Sequence, residues 1–181
     1  MKLLADVYEK YSTTTCGGDK GTLHSYIDLY QKHMEKTENI DLLEIGVQFG
    51  FSIKMWEEYF VDSNIFGVDI DISLVKFPDV KNVFQCDATK KESIPSIIKE
   101  QMFDYIIDDG SHRVEDQIKS FDILYSQIKD GGVYFIEDID SDQSLLRIVN
   151  HLRKKGIPCI IEDVRMNKGR FDDLMIVTKK Q

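Results

Sequence analysis

At 181 residues, with 42% hydrophobic and 30% charged residues, the chain has the size and composition of one soluble globular domain. Its 32 acidic residues outnumber the 23 basic ones, and a net charge of −9 without a basic stripe argues against a nucleic-acid partner. No apolar run approaches the length of a membrane span, and the N-terminal stretch MKLLADVYEK is too polar for a signal peptide, so we expect a cytoplasmic protein without a membrane partner.

The first 40 residues are predicted to be helical around one loop. Apolar residues at helical spacing predict a helix from Leu3 to Tyr11, and the breaker-rich stretch from Thr13 to Gly21 (TTTCGGDKG) predicts a loop. Thr22 is placed to cap a second helix that runs to about Glu38. We expect residues 1–40 to form a lid or cap on the domain.

From Asp41 onward the chain alternates between strands and helices. The predicted strands are DLLEIGV from Asp41, NIFGVDI from Asn64, NVFQCDA from Asn82, the run from Phe103, and GGVYFIED from Gly131. The predicted helices are Phe51 to Phe60, Glu92 to Gln101, about Glu115 to Ile128 and about Gln143 to Lys155.

The last two strands, PCIIEDV from Pro158 and DDLMIVT from Asp172, are joined by MNKGRF. That connection leaves no room for a helix and predicts an antiparallel hairpin. We therefore predict one α/β domain over residues 1–181. Its sheet is doubly wound and Rossmann-like, with seven mostly parallel strands and an antiparallel C-terminal hairpin.

The three cysteines, Cys16, Cys86 and Cys159, have no metal-finger spacing and are predicted to be reduced thiols. Cys86 and Cys159 fall within predicted strands, where each is most simply a small core residue.

Two predicted strands end in acidic residues. The stretch FDYIIDDGSH, from Phe103 to His112, turns from an apolar run into two carboxylates and a histidine, and GGVYFIED ends in Glu137 and Asp138. Because parallel strands open their carboxyl ends at one edge of a sheet, these side chains are expected to converge. Carboxylates held that close repel one another unless a cation or a proton relieves them. The pattern therefore predicts a metal-assisted site.

The turn after the first strand is rich in glycine and is followed by further acids at strand ends. Gly46 and Gly50 can turn the backbone tightly beside a ligand, although the dinucleotide fingerprint is not met. Asp69 ends the second strand, where an acid can accept hydrogen bonds from ribose hydroxyls, and Asp87 ends the third, placed to meet an adenine edge. Packing alone does not explain an acid at each strand tip.

The strand ends LLEIGV, FGVDID, QCDA, IIDDGSH and GGVYFIED, closed by a reversed hairpin, resemble those of class I S-adenosylmethionine-dependent methyltransferases. The sequence stretch DDGSH…EDQIKSFDILYSQIKDGGVYFIED is similar to that of the metal-dependent sugar O-methyltransferases of the mycinamicin and macrocin type. The resemblance runs from about Asp19 to the C-terminus. It implies an enzyme that uses S-adenosylmethionine and Mg²⁺ to methylate a hydroxyl of a sugar or glycosylated small molecule.

The resemblance also implies roles for individual residues. Five residues match cofactor-binding positions: Glu44, Gly46 and Gly50 at the methionine end, Asp69 at the ribose with Asp71 as a stand-in, and Asp87 at the adenine. Asp109, Glu137 and Asp138 match magnesium ligands, and His112 matches the general base, so His112 and Asp109 are the catalytic candidates. Asp108 is included among the candidate cofactor-site residues, with a supporting role. The segment DKGTLHSY from Asp19 resembles a family segment near the cofactor and receives no firm role.

Several alternatives remain open at this point. Asp108 and Asp109 could cap the helix near Glu115, and His112 could be an ordinary loop histidine. The macrolide-type enzymes carry an additional N-terminal region that is nearly absent here, so the acceptor is less defined than the chemistry, and a homo-oligomer is left open. A catalytically silent cofactor-binding partner protein and a nicotinamide oxidoreductase are the competing functions.

Overall fold

The computed structural model describes residues 2–12 and 18–181. Its strands are β1 (Asp41–Ile45), β2 (Asn64–Asp69), β3 (Val83–Gln85), β4 (Phe103–Asp108), β5 (Ile128–Ile136), β6 (Ile160–Asp163) and β7 (Leu174–Lys179). Its α-helices are α1 (Leu4–Ser12), α2 (Ile27–His33), α3 (Phe51–Tyr59), α4 (Ser96–Lys99), α5 (Val114–Leu124), α6 (Asp142–Lys154) and α7 (Arg165–Lys168). Short 3₁₀ turns cover Ile72–Leu74, Lys91–Ser93 and Tyr125–Gln127.

The strands form one sheet in the order β3-β2-β1-β4-β5-β7-β6. Neighbouring strands from β3 through β5 pair in parallel, and β7 lies antiparallel between β5 and β6. The chain runs outward from β1 to β3, crosses back to β4 and then runs outward the other way. This confirms the predicted doubly wound sheet and its antiparallel hairpin, and it places the change of direction between β1 and β4.

Helices cover both faces of the sheet. One buried cluster joins the sheet to α1, α2 and α3 and includes Trp56, which is fully buried. The other cluster joins the opposite face to α4, α5 and α6 through Ile98, Phe121 and Leu152. All six residues of β4 are buried, as expected for a central strand with helices on both sides.

Several predictions about helices are wrong. The helix predicted from Glu92 to Gln101 is a 3₁₀ turn and the single-turn α4, because Pro95 forces the preceding Ile94 into an extended conformation (ψ 125°). The hairpin connection contains one helical turn, α7, which ends at Gly169 with φ +72°.

The helix predicted from Thr22 to about Glu38 is limited to the seven residues of α2. Thr22 does not cap it, since its hydroxyl donates to the carbonyl oxygen of Gly18, and the preceding residue Tyr26 makes no side-chain cap. Tyr26 directs its hydroxyl to Asp138 instead, so a tertiary contact replaces the local cap.

Cys86 is buried just beyond β3, and Cys159 is half-buried just before β6, so both lie next to the strands in which they were predicted. Both are free thiols. Cys16 lies outside the described residues. None of the helices in the described parts of the chain is both long and apolar enough to cross a membrane.

Candidate active site

A cavity of about 680 Å³ opens at the carboxyl ends of β1, β2, β3 and β4. It lies where the sheet changes direction, which is where open α/β sheets bind ligands, and its volume is typical of small-molecule sites. Asp69, Asp87, Asp109 and His112 all line it. The structure therefore brings these four side chains, which the sequence placed at separate strand ends, into one cleft.

The strand register explains why these residues meet. Ile45 of β1 pairs with Val68 of β2 and with Asp108 of β4, and Asp108 pairs with Ile136 of β5. The next residue along each strand is Gly46, Asp69, Asp109 and Glu137, respectively. One row across four neighbouring strands thus carries three carboxylates and a glycine.

Gly46 is required by its surroundings. Its φ is +86°, and an added Cβ would lie 1.8 Å from the carbonyl oxygen of Asp109. Only glycine lets the ends of β1 and β4 approach this closely. Gly50 also has φ +86° and directly precedes α3. The shape of the glycine-rich turn therefore follows from the packing of the strand ends.

Asp69 organises that turn with its carboxylate. Its Oδ2 accepts hydrogen bonds from the backbone amides of Val47 (2.7 Å) and Gln48 (2.9 Å). Asp71, the stand-in, is exposed and accepts from the amide of Ser73 (2.9 Å). Asp69 is thus the better placed of the two acids, because it lies beside the glycine-rich turn.

Asp87 is the third acid of the cleft. It accepts hydrogen bonds from the amide (3.0 Å) and hydroxyl (2.6 Å) of Thr89, and Lys90 lies 2.8 Å away. Hydrogen bonds from Lys90 and Thr89 lower the pKa of Asp87 to about 2. The side chain is therefore a carboxylate at neutral pH and can accept hydrogen bonds from a ligand.

Asp108 is buried behind the cleft. Ser120 donates a hydrogen bond to its Oδ2, and the amide of Gly110 donates to Oδ1 (3.3 Å). Burial raises the pKa of Asp108 to about 6. The hypothesis that Asp108 or Asp109 caps α5 is wrong, since the capping residue Arg113 precedes that helix without any side-chain cap.

Asp108→Asn tests this buried carboxyl. Its folded pKa lies above the ordinary value of 3.8, at about 6, so the wild type loses stability as the pH rises between these two values. A shift of that size corresponds to about 2–3 kcal/mol, which the neutral amide does not lose. We expect urea denaturation to show Asp108→Asn gaining that much relative to the wild type between about pH 4 and 7. A pH-independent difference would contradict the raised pKa.

Asp109, His112 and Asp138 form a compact group at the edge of the cleft. Each offers a ligand atom, and these atoms all lie within 4.8 Å of one another. Nε2 of His112 is 3.9 Å from Oδ2 of Asp138. His112 and Asp138 both have left-handed backbones, with φ +57° and +52°. Such conformations in residues other than glycine often accompany functional sites.

Lys20 is the residue that sequence reasoning missed. Its ammonium lies 2.6 Å from Asp109 Oδ2, 2.8 Å from Glu137 Oε1 and 3.3 Å from Glu44 Oε1. Lys20 is 3% exposed, and Glu44 and Glu137 are buried as well. The only signal in the sequence was the segment DKGTLHSY, but contacts over sequence distances as long as 117 residues cannot be read from it.

Burial and the neighbouring charges shift the pKa values of this cluster in opposite directions. Burial raises the pKa of Glu44 and that of Glu137 to about 7, although the Lys20 ammonium opposes both shifts. Burial also raises the pKa of Asp109. Burial alone would lower the pKa of Lys20, but the surrounding carboxylates outweigh it and hold that pKa well above its usual range. Lys20 is therefore the internal cation of an acid-rich site.

The group of Asp109, His112 and Asp138 fits a hard divalent cation. Carboxylate oxygens are the ligands that Mg²⁺ prefers, and Asp109 and Asp138 offer them close together. Glu137 is not part of this group; Lys20 contacts its Oε1 at 2.8 Å and also contacts Asp109 Oδ2 at 2.6 Å, so Lys20 shares the acids of this site with any bound cation. Its role as a ligand stays a prediction.

A second group in the described ranges, His24, Asp172 and Asp173, also has its ligand atoms within 4.8 Å of one another, but Arg170 pairs with Asp172 at 2.6 Å.

Comparison with known proteins supports the resemblance seen in the sequence. The chain is 31% identical over 137 residues to 8-demethyl-8-α-L-rhamnosyl tetracenomycin-C 2'-O-methyltransferase of Streptomyces olivaceus, covering 69% of this chain and 36% of that protein. It is 33% identical over 130 residues to mycinamicin VI 2''-O-methyltransferase of Micromonospora griseorubida, covering 66% and 32%, respectively. The chain thus spans about a third of the length of these curated relatives. No family model matches.

Solved structures show the same fold. MycE methyltransferase from the mycinamycin biosynthetic pathway, in complex with Mg and SAH, superimposes with a TM-score of 0.76 at 24% identity. The match covers 99% of this chain and 55% of MycE. These comparisons confirm the predicted seven-stranded, Rossmann-like fold.

Proposed function

We propose, from the premise that this chain has the fold of class I S-adenosylmethionine-dependent methyltransferases, that it is a Mg²⁺-assisted O-methyltransferase acting on a hydroxyl of a sugar or glycosylated small molecule. The observation that carries the proposal is the group of Asp109, His112 and Asp138 at the edge of a cleft that Asp69 and Asp87 line. The named activities of the curated relatives support it.

In this proposal the cleft binds the cofactor across the ends of β1 to β4. Asp69 accepts hydrogen bonds from the ribose hydroxyls and Asp87 takes the adenine end, while Gly46 keeps the backbone close to the methionine end. Glu44, which the resemblance puts at the methionine end, is fully buried and is not among the residues that line the cavity; it lies 3.3 Å from Lys20, so we assign it to the charge balance beneath the cleft. The site is negative overall and favours a ligand that carries positive charge.

Asp109 and Asp138 would hold the cation. Glu137, which contacts Lys20, is the predicted third acid. When bound, S-adenosylmethionine supplies the methyl group and Mg²⁺ lowers the pKa of an acceptor hydroxyl. The His112 side chain is 40% exposed, and because its Nδ1 is buried without a hydrogen-bond partner among the described residues, Nε2 is the ring nitrogen that can accept a proton from an acceptor. The imidazole removes the proton from the acceptor hydroxyl and Asp138 faces the resulting imidazolium.

A turnover assay tests the proposal. The chain is incubated with S-adenosylmethionine, Mg²⁺ and a panel of free sugars and O-glycosides, and methylated products are sought by mass spectrometry. We expect a product with at least one hydroxylated acceptor and none in excess chelator. Full activity in chelator would remove the metal from the proposal.

The competing functions predict different outcomes. Calorimetric binding of S-adenosylhomocysteine without turnover on any acceptor would favour a silent partner protein. Binding of NAD in place of S-adenosylhomocysteine would favour an oxidoreductase.

Asp69→Ala is expected to weaken S-adenosylhomocysteine binding by about 1–3 kcal/mol, the loss that follows when hydrogen bonds to a charged acceptor vanish. Isothermal calorimetry measures the change. Asp130→Ala is the control, because it removes the same charge from an exposed position that does not line the cleft. Equal affinities for the two variants would remove Asp69 from the ribose role.

A further inference from the structure

We infer that Tyr26 is a positioning residue for the cation, whose hydroxyl fixes Asp138 so that one carboxylate oxygen stays turned toward His112. This inference rests on the proposed function and gives a role to the segment Asp19–Tyr26, which has none from the sequence.

The contacts of Tyr26 place its hydroxyl directly on the carboxylate. Tyr26 is fully buried, and its hydroxyl donates to Asp138 Oδ1 at 2.7 Å. The backbone amide of Asp138 donates back to the same hydroxyl at 3.4 Å, and the carbonyl oxygen of Asp172 lies 3.0 Å away. Of the two acceptors, the carboxylate is both closer and charged, so it takes the proton.

His24 lies beside the same oxygen, but its Nδ1 is hydrogen-bonded to Asp173. Its Nδ1 lies 2.7 Å from Asp173 Oδ1 and 3.2 Å from Asp138 Oδ1. Its ring stacks on Tyr26, with ring centroids 5.1 Å apart and planes 15° apart. His24 and Asp173 are both buried, so neither partner moves freely. Through this stack Tyr26 contacts His24, which is hydrogen-bonded to Asp173 immediately before β7.

The other oxygen of Asp138 has a different environment. Oδ2 is the atom that lies 3.9 Å from His112 Nε2, at the edge of the cleft. Because the hydrogen bond from Tyr26 fixes Oδ1, the carboxylate cannot rotate freely, and Oδ2 stays directed toward the cleft. Groups that orient a metal ligand in this way typically change metal affinity or activity about 10–100-fold when removed.

Tyr26→Phe removes only the hydroxyl and keeps the ring that stacks on His24. Tyr30→Phe is a matched control, because Tyr30 is equally buried, lies four residues later, and its hydroxyl has no hydrogen-bond partner among the described residues. Calorimetric titration of Mg²⁺, in the presence of S-adenosylhomocysteine, measures the affinity of each protein. Thermal melting establishes that all three are folded.

We expect the Kd for Mg²⁺ to rise about tenfold or more in Tyr26→Phe and to stay at the wild-type value in Tyr30→Phe. Turnover by Tyr26→Phe should recover at saturating Mg²⁺, because the tyrosine acts through Asp138 and not on the acceptor. Wild-type Mg²⁺ affinity in Tyr26→Phe overturns the inference alone and leaves the proposed function intact. A wild-type chain that binds no Mg²⁺ overturns the metal in the proposed function and the inference with it.

Discussion

His112→Asn is expected to lower the rate of methyl transfer about 10²–10⁴-fold, the usual contribution of a positioned general base. Asparagine cannot accept the proton at neutral pH, but it adopts left-handed backbone conformations readily. That property matters here because His112 has φ +57°. The substitution therefore removes the imidazole while keeping the backbone that carries Gly110 and Ser111 beside the cleft.

Kinetic measurements and one control variant distinguish a general base from a residue that takes no part in proton transfer. Single-turnover rates are compared at saturating S-adenosylmethionine, with S-adenosylhomocysteine affinity measured alongside and expected to stay near the wild-type value. His151→Asn is the matched control, since His151 pairs with Asp122 away from the cleft. His112→Gln is expected to be impaired to a similar degree. Near-normal turnover in both His112 variants would mean that His112 only orients the acceptor.

Lys20→Met is expected to destabilise the fold by about 3–5 kcal/mol near neutral pH, the range found when one partner of a buried ion pair is removed. The ammonium lies within 3.3 Å of three carboxylates, on Glu44, Asp109 and Glu137. Methionine fills a similar volume but leaves these acids without a counter-charge. Urea denaturation measures the loss.

The loss should shrink as the pH falls. Glu44 and Glu137 already have pKa values of about 7 with Lys20 present, so at about pH 5 they are largely protonated and need no cation. Lys36→Met is the control, because Lys36 is exposed and its partner Asp104 keeps Lys129. Because Lys36 is exposed and the buried Asp104 keeps a second cation, removing Lys36 should cost at most about 1 kcal/mol. Lys20→Met matching Lys36→Met at neutral pH would show that the acids do not depend on Lys20.

The two variants report on different parts of one site. His112 lies at the exposed edge of the cleft, where a change affects the acceptor step, whereas Lys20 lies beneath it and sets the charge of the buried acids. We expect His112→Asn to lose rate without losing stability, and Lys20→Met to lose stability. This pair of results would separate the chemistry at the cleft edge from the charge balance of the buried acids.

The sequence by itself determined the sheet and the position of the cleft. Hydrophobic runs of strand length, each followed by an acid or a glycine, are a local pattern, and parallel pairing brings all their carboxyl ends to one edge. That is why the amino-acid pattern alone assigns Asp69, Asp87, Asp109 and His112 to one cavity. Helix boundaries were less well determined where Pro95 or a tertiary contact of Tyr26 overrode the helical pattern.

Only the tertiary structure decided which groups balance the charge of those acids. Lys20 and Tyr26 lie in a segment whose sequence indicates only a loop and a helix start, and they meet their partners across separations of 89 to 117 residues. No periodicity encodes such contacts. They arise because carboxylates buried by the sheet require a cation or a hydrogen-bond donor, and the segment Asp19–Tyr26 is what the fold places beside them.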